Sequence, residues 1–307
     1  MKRKIRSLLI PIFAALRRIK PPGFGGAGLY DVFRFWFQTL FDAHFNMMAA
    51  AIAYNFFFAL FPTLILLFTL IPFLPIDNLE GEVLTFFRQN VPPESMKIVE
   101  SVVKASFQKM GTGLISLNLF LAVISAMRGI IAMMNAFSET FGAKKVRRNI
   151  FTLYGTAFLI FFILTLFLIL STVFLNIGEF LINELRRYNW LTQNGIDVIL
   201  LKGTNYLITI LLLIFSITTT YKLGGGSKQY KFFSPGSITA GILLLLTLIG
   251  LHYYFANFGS FNKIYGSLGT VIVLMLWFYY IAVVLLIGNR LNHAIERAQR
   301  YKRIFKN

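Results

Sequence analysis

Long apolar runs separated by short polar segments dominate the sequence. A bilayer core about 30 Å thick is crossed by about 20 apolar residues in a helix, so runs of this length predict transmembrane helices. Six runs reach that length or come within one residue of it. We predict spans at about residues 47–74, 112–137, 150–178, 203–221, 234–258 and 264–289, and we expect Ser234 to cap the fifth.

Three other segments show a helical spacing of apolar residues but lack the composition of a span. Residues 5–19 combine basic side chains with an apolar face, residues 30–45 carry a polar stripe, and residues 94–109 follow a Pro-Pro pair. Each predicts an amphipathic helix at the membrane surface. No small-residue cleavage site follows the first segment, so we interpret it as a retained helix rather than a signal peptide. The third is expected to cap the bundle, with a packing role and a gating role both open.

The predicted spans hold about half of the 307 residues, which leaves no room for a separate soluble domain. The sequence therefore predicts an all-α polytopic membrane protein in three parts. Residues 1–46 form a cytoplasmic N-terminal segment with interfacial helices, residues 47–293 form a six-helix transmembrane domain, and residues 294–307 form a basic cytoplasmic tail.

Composition supports this class. Hydrophobic residues make up 57% of the chain and charged residues 14%, whereas soluble domains average roughly 45 to 50% and 25%. Disorder is excluded by the long apolar runs and the many aromatic residues. The chain has no cysteine, which excludes disulfides, thiolate metal sites and a cysteine nucleophile.

The net charge of +18 would suggest nucleic acid in a soluble chain, but its distribution indicates orientation instead. Of the 30 Lys and Arg residues, 21 fall in the two termini and the even-numbered loops. Because basic residues are retained on the cytoplasmic side, both termini are predicted to be cytoplasmic. The expected partners are the phospholipid bilayer and the anionic headgroups of its cytoplasmic face, not nucleic acid, and homo-oligomer formation is left open.

Arg128 is the one basic residue that orientation does not explain, because it lies inside the second predicted span. Such a residue costs about 2.5 to 3.5 kcal/mol at mid-span and usually faces the bundle interior or a water-filled cavity. No acid lies in any predicted span to pair with it. Its interpretation stays open between interior hydrogen bonding or snorkelling and contact with an anionic substrate or lipid headgroup.

The first predicted span contains a second polar group, Tyr54 and Asn55, which we treat with Arg128 as candidate contacts for a substrate or lipid. Pro62 removes a backbone donor near the middle of this span and predicts a helix kink. Kinked helices occur in transport pathways and also in helices that only pack. Small residues in this span and in others predict close packing between helices. They are Ala49, Ala53, Ser125, Gly129, Ser237, Gly241, Gly266 and Gly269.

No catalytic constellation emerges from the sequence. The three histidines lie on separate segments without a metal-binding motif, and the glycine-rich run at residues 224–228 lacks the phosphate-loop pattern. No GxSxG motif occurs, and the acids form no paired set for nuclease chemistry. We therefore predict a protein that is not an enzyme and that needs no metal and no cofactor.

Several motifs are similar, in order and spacing, to those of the YihY/BrkB family of bacterial inner-membrane proteins. They are Ala49 through Pro62, the turn Asn90-Val-Pro92, Ser234 through Gly241, Ile264 through Gly269, and Trp277 through Asn292. The resemblance covers about residues 30–295 and implies a six-span protein of the inner membrane. It implies links to serum resistance and envelope lipid export, and it implies that the family's old ribonuclease label is a misassignment. This chain has Gly288-Asn289-Arg290 where the family usually has Gly-Ala-Glu, so a role for that glutamate does not carry over.

The function expected from these features is transport or handling of an anionic lipid or a small amphipathic solute in the cell envelope. The alternative is a non-transporting membrane scaffold for an envelope complex. A membrane-embedded hydrolase or ribonuclease is disfavoured because the sequence shows no titratable cluster for it.

Overall fold

The structure, a computed structural model, describes residues 19–42, 44–70, 112–139, 148–188, 196–225, 233–257 and 267–304, with isolated positions between 81 and 101. The described residues form helices and turns, without a strand among them. Within these ranges the helices are α1 (Leu29–Leu40), α2 (His44–Leu70), α3 (Thr112–Ser138), α4 (Ile150–Arg187), α5 (Ile196–Gly224), α6 (Pro235–Asn257) and α7 (Ser267–Ile304). The predicted all-α class is confirmed.

Six of these helices, α2 to α7, are long and apolar enough to cross a membrane, which confirms the predicted number of spans. Helices α4 and α7 have 38 residues each. At 1.5 Å per residue each measures about 57 Å, well beyond the bilayer core. Both therefore continue past the predicted ends of their spans at residues 178 and 289.

The segment predicted as one interfacial helix at residues 30–45 is divided in the structure. Helix α1 ends at Leu40, and α2 begins at His44. Asp42 starts the new helix, because its Oδ1 accepts a hydrogen bond from the His44 amide at 3.3 Å and its carbonyl accepts one from Phe45 at 2.9 Å. The predicted helix at 5–19 lies outside the described residues except for Ile19, and that at 94–109 does so except for isolated helical positions.

Two compact units divide the chain. Unit 1 comprises Met1–Ala49, Met133–Gly250 and Tyr280–Asn307, and unit 2 comprises Ala50–Ala132 and Leu251–Tyr279.

In unit 1, α1 and the turn before it pack on the last part of α7. Trp36 Nε1 donates to the Ile287 carbonyl at 3.1 Å, and Lys302 Nζ donates to the Gly26 carbonyl at 2.9 Å. Gly26 has a φ of 77°, a conformation that glycine adopts without strain. The same two segments also share a buried apolar cluster, which involves the part of α7 past the predicted end of its span. Its residues are Phe24, Ala27, Val32, Leu291, Ala294, Ile295 and Ala298.

A tight joint in unit 1 brings α6 against α7 at two glycines. A Cβ on Gly236 would collide with the Gly288 carbonyl oxygen, so neither position has room for a side chain. Asn292 Oδ1 accepts from the Gly236 amide at 2.8 Å. Ser234 Oγ accepts from the Ser237 amide at 3.2 Å, which confirms the predicted cap.

Helices α2 and α3 meet in unit 2. A Cβ on Gly129 would lie 3.1 Å from Phe56, so α3 approaches α2 closely at this glycine. The Phe56 ring is stacked with that of Phe278 on α7, with centroids 6.4 Å apart. Pro62 lies inside α2 without ending it.

Candidate functional site

A cavity of about 480 Å³ lies in unit 2, on the surfaces of α2 and α3. Its volume falls within the range of ordinary ligand sites, about 300 to 1,000 Å³. Its lining combines polar and apolar side chains: Tyr54, Asn55, Phe58, Ala59, Phe61, Pro62, Ser125 and Arg128. The structure thus brings Arg128, Tyr54, Asn55, Pro62 and Ser125, which the sequence places on two separate spans, to one cavity.

Arg128 supplies the positive charge of this cavity. Its side chain is exposed, and within the described part of the chain no hydrogen bond or ion pair engages it. Neither α2 nor α3 contains an acid, so neither helix offers the guanidinium a carboxylate. Arginine stays protonated in proteins, so Arg128 presents an uncompensated cation and five N–H donors.

Tyr54 and Asn55 add neutral polar groups. Asn55 Nδ2 donates to the Ala51 carbonyl one turn earlier at 2.8 Å, which leaves Oδ1 of the same amide as an acceptor. The Tyr54 side chain is 53% exposed, and its ring packs on Phe58 with centroids 4.5 Å apart. Ser125, one helical turn before Arg128, contributes a hydroxyl.

The rest of the cavity wall is apolar and aromatic. Phe58 and Phe61 are each about half exposed, and their ring centroids lie 6.3 Å apart. Phe57 packs edge-on against Phe61, with ring centroids 5.2 Å apart, and supports that ring. Charged and polar groups therefore lie beside an apolar surface, an arrangement that suits an amphipathic ligand.

The residues predicted to pack helices occupy different surroundings. Ala49 and Ala53 on α2 are buried, as are Ser237 on α6 and Gly269 on α7. At Gly241 a Cβ would lie 2.8 Å from Ile214, so α6 approaches α5 there. The remaining candidate at position 266 lies outside the described residues.

Sequence reasoning missed the burial of Arg290, which it noted only as a departure from the family pattern. Arg290 is 1% exposed in unit 1. Its guanidinium lies over the Phe45 ring, 4.6 Å from the centroid, and its Nη2 lies 3.7 Å from Met48 Sδ. Its Nε and Nη1 have no hydrogen-bond partner in the described structure. Continuing the apolar helical periodicity of α7 past residue 289 would have signalled that this turn is buried.

Two ionisable groups in unit 1 lie at helix ends outside the spans. Arg148 Nη2 donates to the carbonyls of Leu223 and Gly224 at 2.6 and 3.1 Å and caps α5, and burial lowers the pKa of its guanidinium. Burial opposes ionisation of Asp42, but hydrogen bonds from His44 and the charge of Arg290 hold its pKa below the usual value.

Metal-binding geometry is not found in the residues that the structure describes, since no three His, Asp or Glu side chains come together there.

These features define a class: a membrane protein of six apolar helices, with a cavity that contains one arginine between two of them. The family model for virulence factor BrkB matches residues 36–306. The chain therefore belongs to the BrkB family, and the resemblance seen in the sequence is confirmed.

Individual relatives are distant. The ribonuclease-like protein YfkH of Bacillus subtilis (strain 168) is 25% identical over 253 residues, which cover 82% of this chain and 90% of YfkH. The UPF0761 membrane protein Smlt0865 of Stenotrophomonas maltophilia (strain K279a) is 24% identical over 281 residues, 88% of this chain and 61% of the relative. This chain thus matches about three fifths of that longer protein. No solved structure matches the chain.

Proposed function

We propose that this protein moves an anionic amphipathic molecule across the bilayer and that the cavity beside Arg128 is the binding site midway. The observation that carries the proposal is the exposed guanidinium of Arg128, which no described residue pairs and which lines a cavity of ligand size. A cation inside a span is costly, and such residues mark substrate pathways.

The depth of the site favours transport over static binding of a lipid. Arg128 lies ten residues before the end of α3 at Ser138, and Tyr54 lies ten residues after the start of α2 at His44. At 1.5 Å per residue each polar group is about 15 Å of helix from that end, about half the thickness of the apolar core. The headgroup of a lipid in either leaflet lies at the membrane surface. A charged headgroup bound at this depth would therefore belong to a molecule that is crossing the bilayer.

Charge and shape favour an anionic amphipath. An anion beside Arg128 would neutralise the guanidinium and form charge-assisted hydrogen bonds with it. The apolar tail of the same molecule would lie along Phe58 and Phe61, which are half exposed on the open side of the cavity. A small polar anion would leave these rings without contact.

Transport can be tested in proteoliposomes with acyl-labelled phosphatidylglycerol, whose transbilayer movement is followed by quenching from outside with dithionite. The wild-type protein is expected to accelerate this movement, and Arg128→Gln is expected to slow it at least tenfold, a loss of about 1.4 kcal/mol in the free energy of the crossing step. Arg34→Gln removes an exposed arginine on α1, outside the cavity, and serves as the matched control.

Two outcomes would contradict the proposal. One is an absence of movement for phosphatidylglycerol, lysolipid and octyl sulfate alike, which would leave the scaffold as the better hypothesis. The other is an Arg128→Gln protein that transports as fast as the wild type.

A further inference from the structure

We infer that the cavity selects a headgroup with a single net negative charge. This inference rests on the proposed function and adds the substrate class to it. It follows from the inventory of charged and neutral groups around the cavity and not from any contact with a bound molecule.

The described lining contains one cation, Arg128, and no carboxylate. The charge of the occupied cavity is therefore that of the ligand plus one. A ligand with one negative charge brings the total to zero, a zwitterion leaves +1, and a ligand with two negative charges gives −1. In the apolar middle of a membrane any uncompensated charge is costly, so the neutral combination is favoured.

The neutral polar groups lead to the same result. An ammonium group in the cavity would meet the hydroxyls of Tyr54 and Ser125, the Asn55 amide and aromatic ring faces, but no carboxylate among the described lining residues. Ring faces attract cations only modestly, and Arg128 would repel a second cation in so small a space. Hydroxyl groups on the ligand, by contrast, can both donate to and accept from these neutral partners.

The dimensions fit a headgroup rather than a whole lipid. A cavity of about 480 Å³ accommodates the charged end of an amphipath. Tyr54, Phe58 and Phe61 are about half exposed, so the cavity is open. Only the first part of an acyl chain would lie along the two phenylalanine rings, and the rest would extend beyond the cavity. Selection would therefore act on the charged end, and acyl-chain length would have little influence.

The test compares acyl-labelled lipids in the same proteoliposomes. Phosphatidylglycerol and phosphatidylserine each carry one net negative charge, and phosphatidylethanolamine carries none. The ammonium group of phosphatidylserine is accompanied by a carboxylate on the same headgroup, which supplies the counter-charge that the described lining lacks. The wild type is expected to move the first two at similar rates, within about threefold, and phosphatidylethanolamine at least tenfold more slowly. Arg128→Gln makes the cavity neutral, so it is expected to invert the preference toward phosphatidylethanolamine. Arg128→Lys should retain the wild-type order.

The outcomes separate this inference from the function on which it rests. Equal movement of all three lipids by the wild type, or an unchanged order in Arg128→Gln, would overturn the selectivity and leave transport standing. Movement of none of these lipids, and of neither lysolipid nor octyl sulfate, would overturn the function itself. Octyl sulfate, a single-chain monoanion, shows whether the negatively charged group must belong to a lipid or can belong to a small amphipathic molecule. Its inhibition of phosphatidylglycerol movement would extend the class to small amphipaths, and its failure to inhibit would confine the class to lipids.

Size-exclusion profiles and melting temperatures of both Arg128 variants should match the wild type, because no described residue bonds to this guanidinium.

Discussion

Arg128 and Arg290 both lie in long helices, Arg128 within a predicted span and Arg290 one residue past the predicted end of another, but their surroundings differ. Arg290 is almost fully buried against Phe45 and Met48, in a packed part of unit 1. Arg128 is exposed on the wall of a cavity in unit 2. The difference teaches that an arginine in a long apolar helix is not by itself a sign of function. A guanidinium enclosed by protein atoms affects the free energy of folding and cannot reach a ligand. A guanidinium that faces an open cavity can bind one.

The largest effect is expected in the packed unit 1, where α6 meets α7 at Gly236 and Gly288. In Gly236→Val the new side chain would collide with the Gly288 carbonyl oxygen, a backbone atom that cannot rotate away. We expect a loss of about 3 kcal/mol or more and little folded protein, measured by size-exclusion chromatography in detergent and by thermal unfolding. Gly155→Val is the matched control, since nothing lies within 4 Å of a Cβ at Gly155.

Replacing Arg290 by methionine sharpens the contrast between the two arginines. The substitution keeps most of the volume and removes two buried N–H groups that no described residue satisfies. Apolar replacement of buried charges is often neutral or stabilising, so we expect Arg290→Met to raise stability by up to about 2 kcal/mol, and transport to remain. Thermal unfolding and the dithionite assay measure the two effects. A fall in stability of more than 2 kcal/mol would show that the charge is needed for folding.

A smaller effect is expected at Tyr221, whose hydroxyl donates to the Leu285 carbonyl at 2.7 Å in unit 1. Tyr221→Phe removes the hydroxyl and with it this hydrogen bond, at a cost of about 1 kcal/mol in the free energy of unfolding. Tyr206→Phe, on the same helix but 58% exposed, should unfold as the wild type does. If both variants lose the same stability, the bond between α5 and α7 contributes nothing specific.

The smallest expected effect concerns pH. The pKa of Asp42 is held below its usual value of 3.8, so the folded state favours the carboxylate. Its contribution is therefore present above pH 4 and is lost as the pH falls through the lowered pKa. Asp42→Asn should cost roughly 0.5 kcal/mol at pH 7 and nothing below that pKa, measured as melting temperature against pH. A difference that persists unchanged at low pH would show that His44 and Arg290 do not favour the charged form.

The sequence alone was sufficient for the number of spans, because an apolar run of about 20 residues has few other fates in a chain of this composition. It was insufficient for the ends of the helices. The α7 prediction stopped at Asn289, where charged residues begin, yet Ala294 and Ala298 continue the helix because α1 covers them. Similarly, a single polar residue, Asp42, divides what periodicity alone shows as one helix.

The candidate site shows the same limit. Arg128, Tyr54 and Asn55 could be singled out one by one, since polar residues in a span are costly. That α2 and α3 bring them to one cavity depends on how the helices pair, which the pattern within each span does not encode. The close contact between Gly236 and Gly288 was missed for the same reason. Each position excludes a side chain only because the backbone of the other glycine lies against it.

The docking of α1 on the end of α7 has a consequence for biosynthesis. The ribosome makes α1 well before the end of α7, since Ile287 follows its partner Trp36 by 251 residues and Lys302 follows its partner Gly26 by 276. At roughly 5 to 20 residues per second, the apolar face of α1 waits on the order of 13 to 50 seconds after its synthesis. Through that interval the helices between α1 and the end of α7 are made while this face lacks its partners on α7. Burial of this face of α1 is thus completed only by a helix made much later.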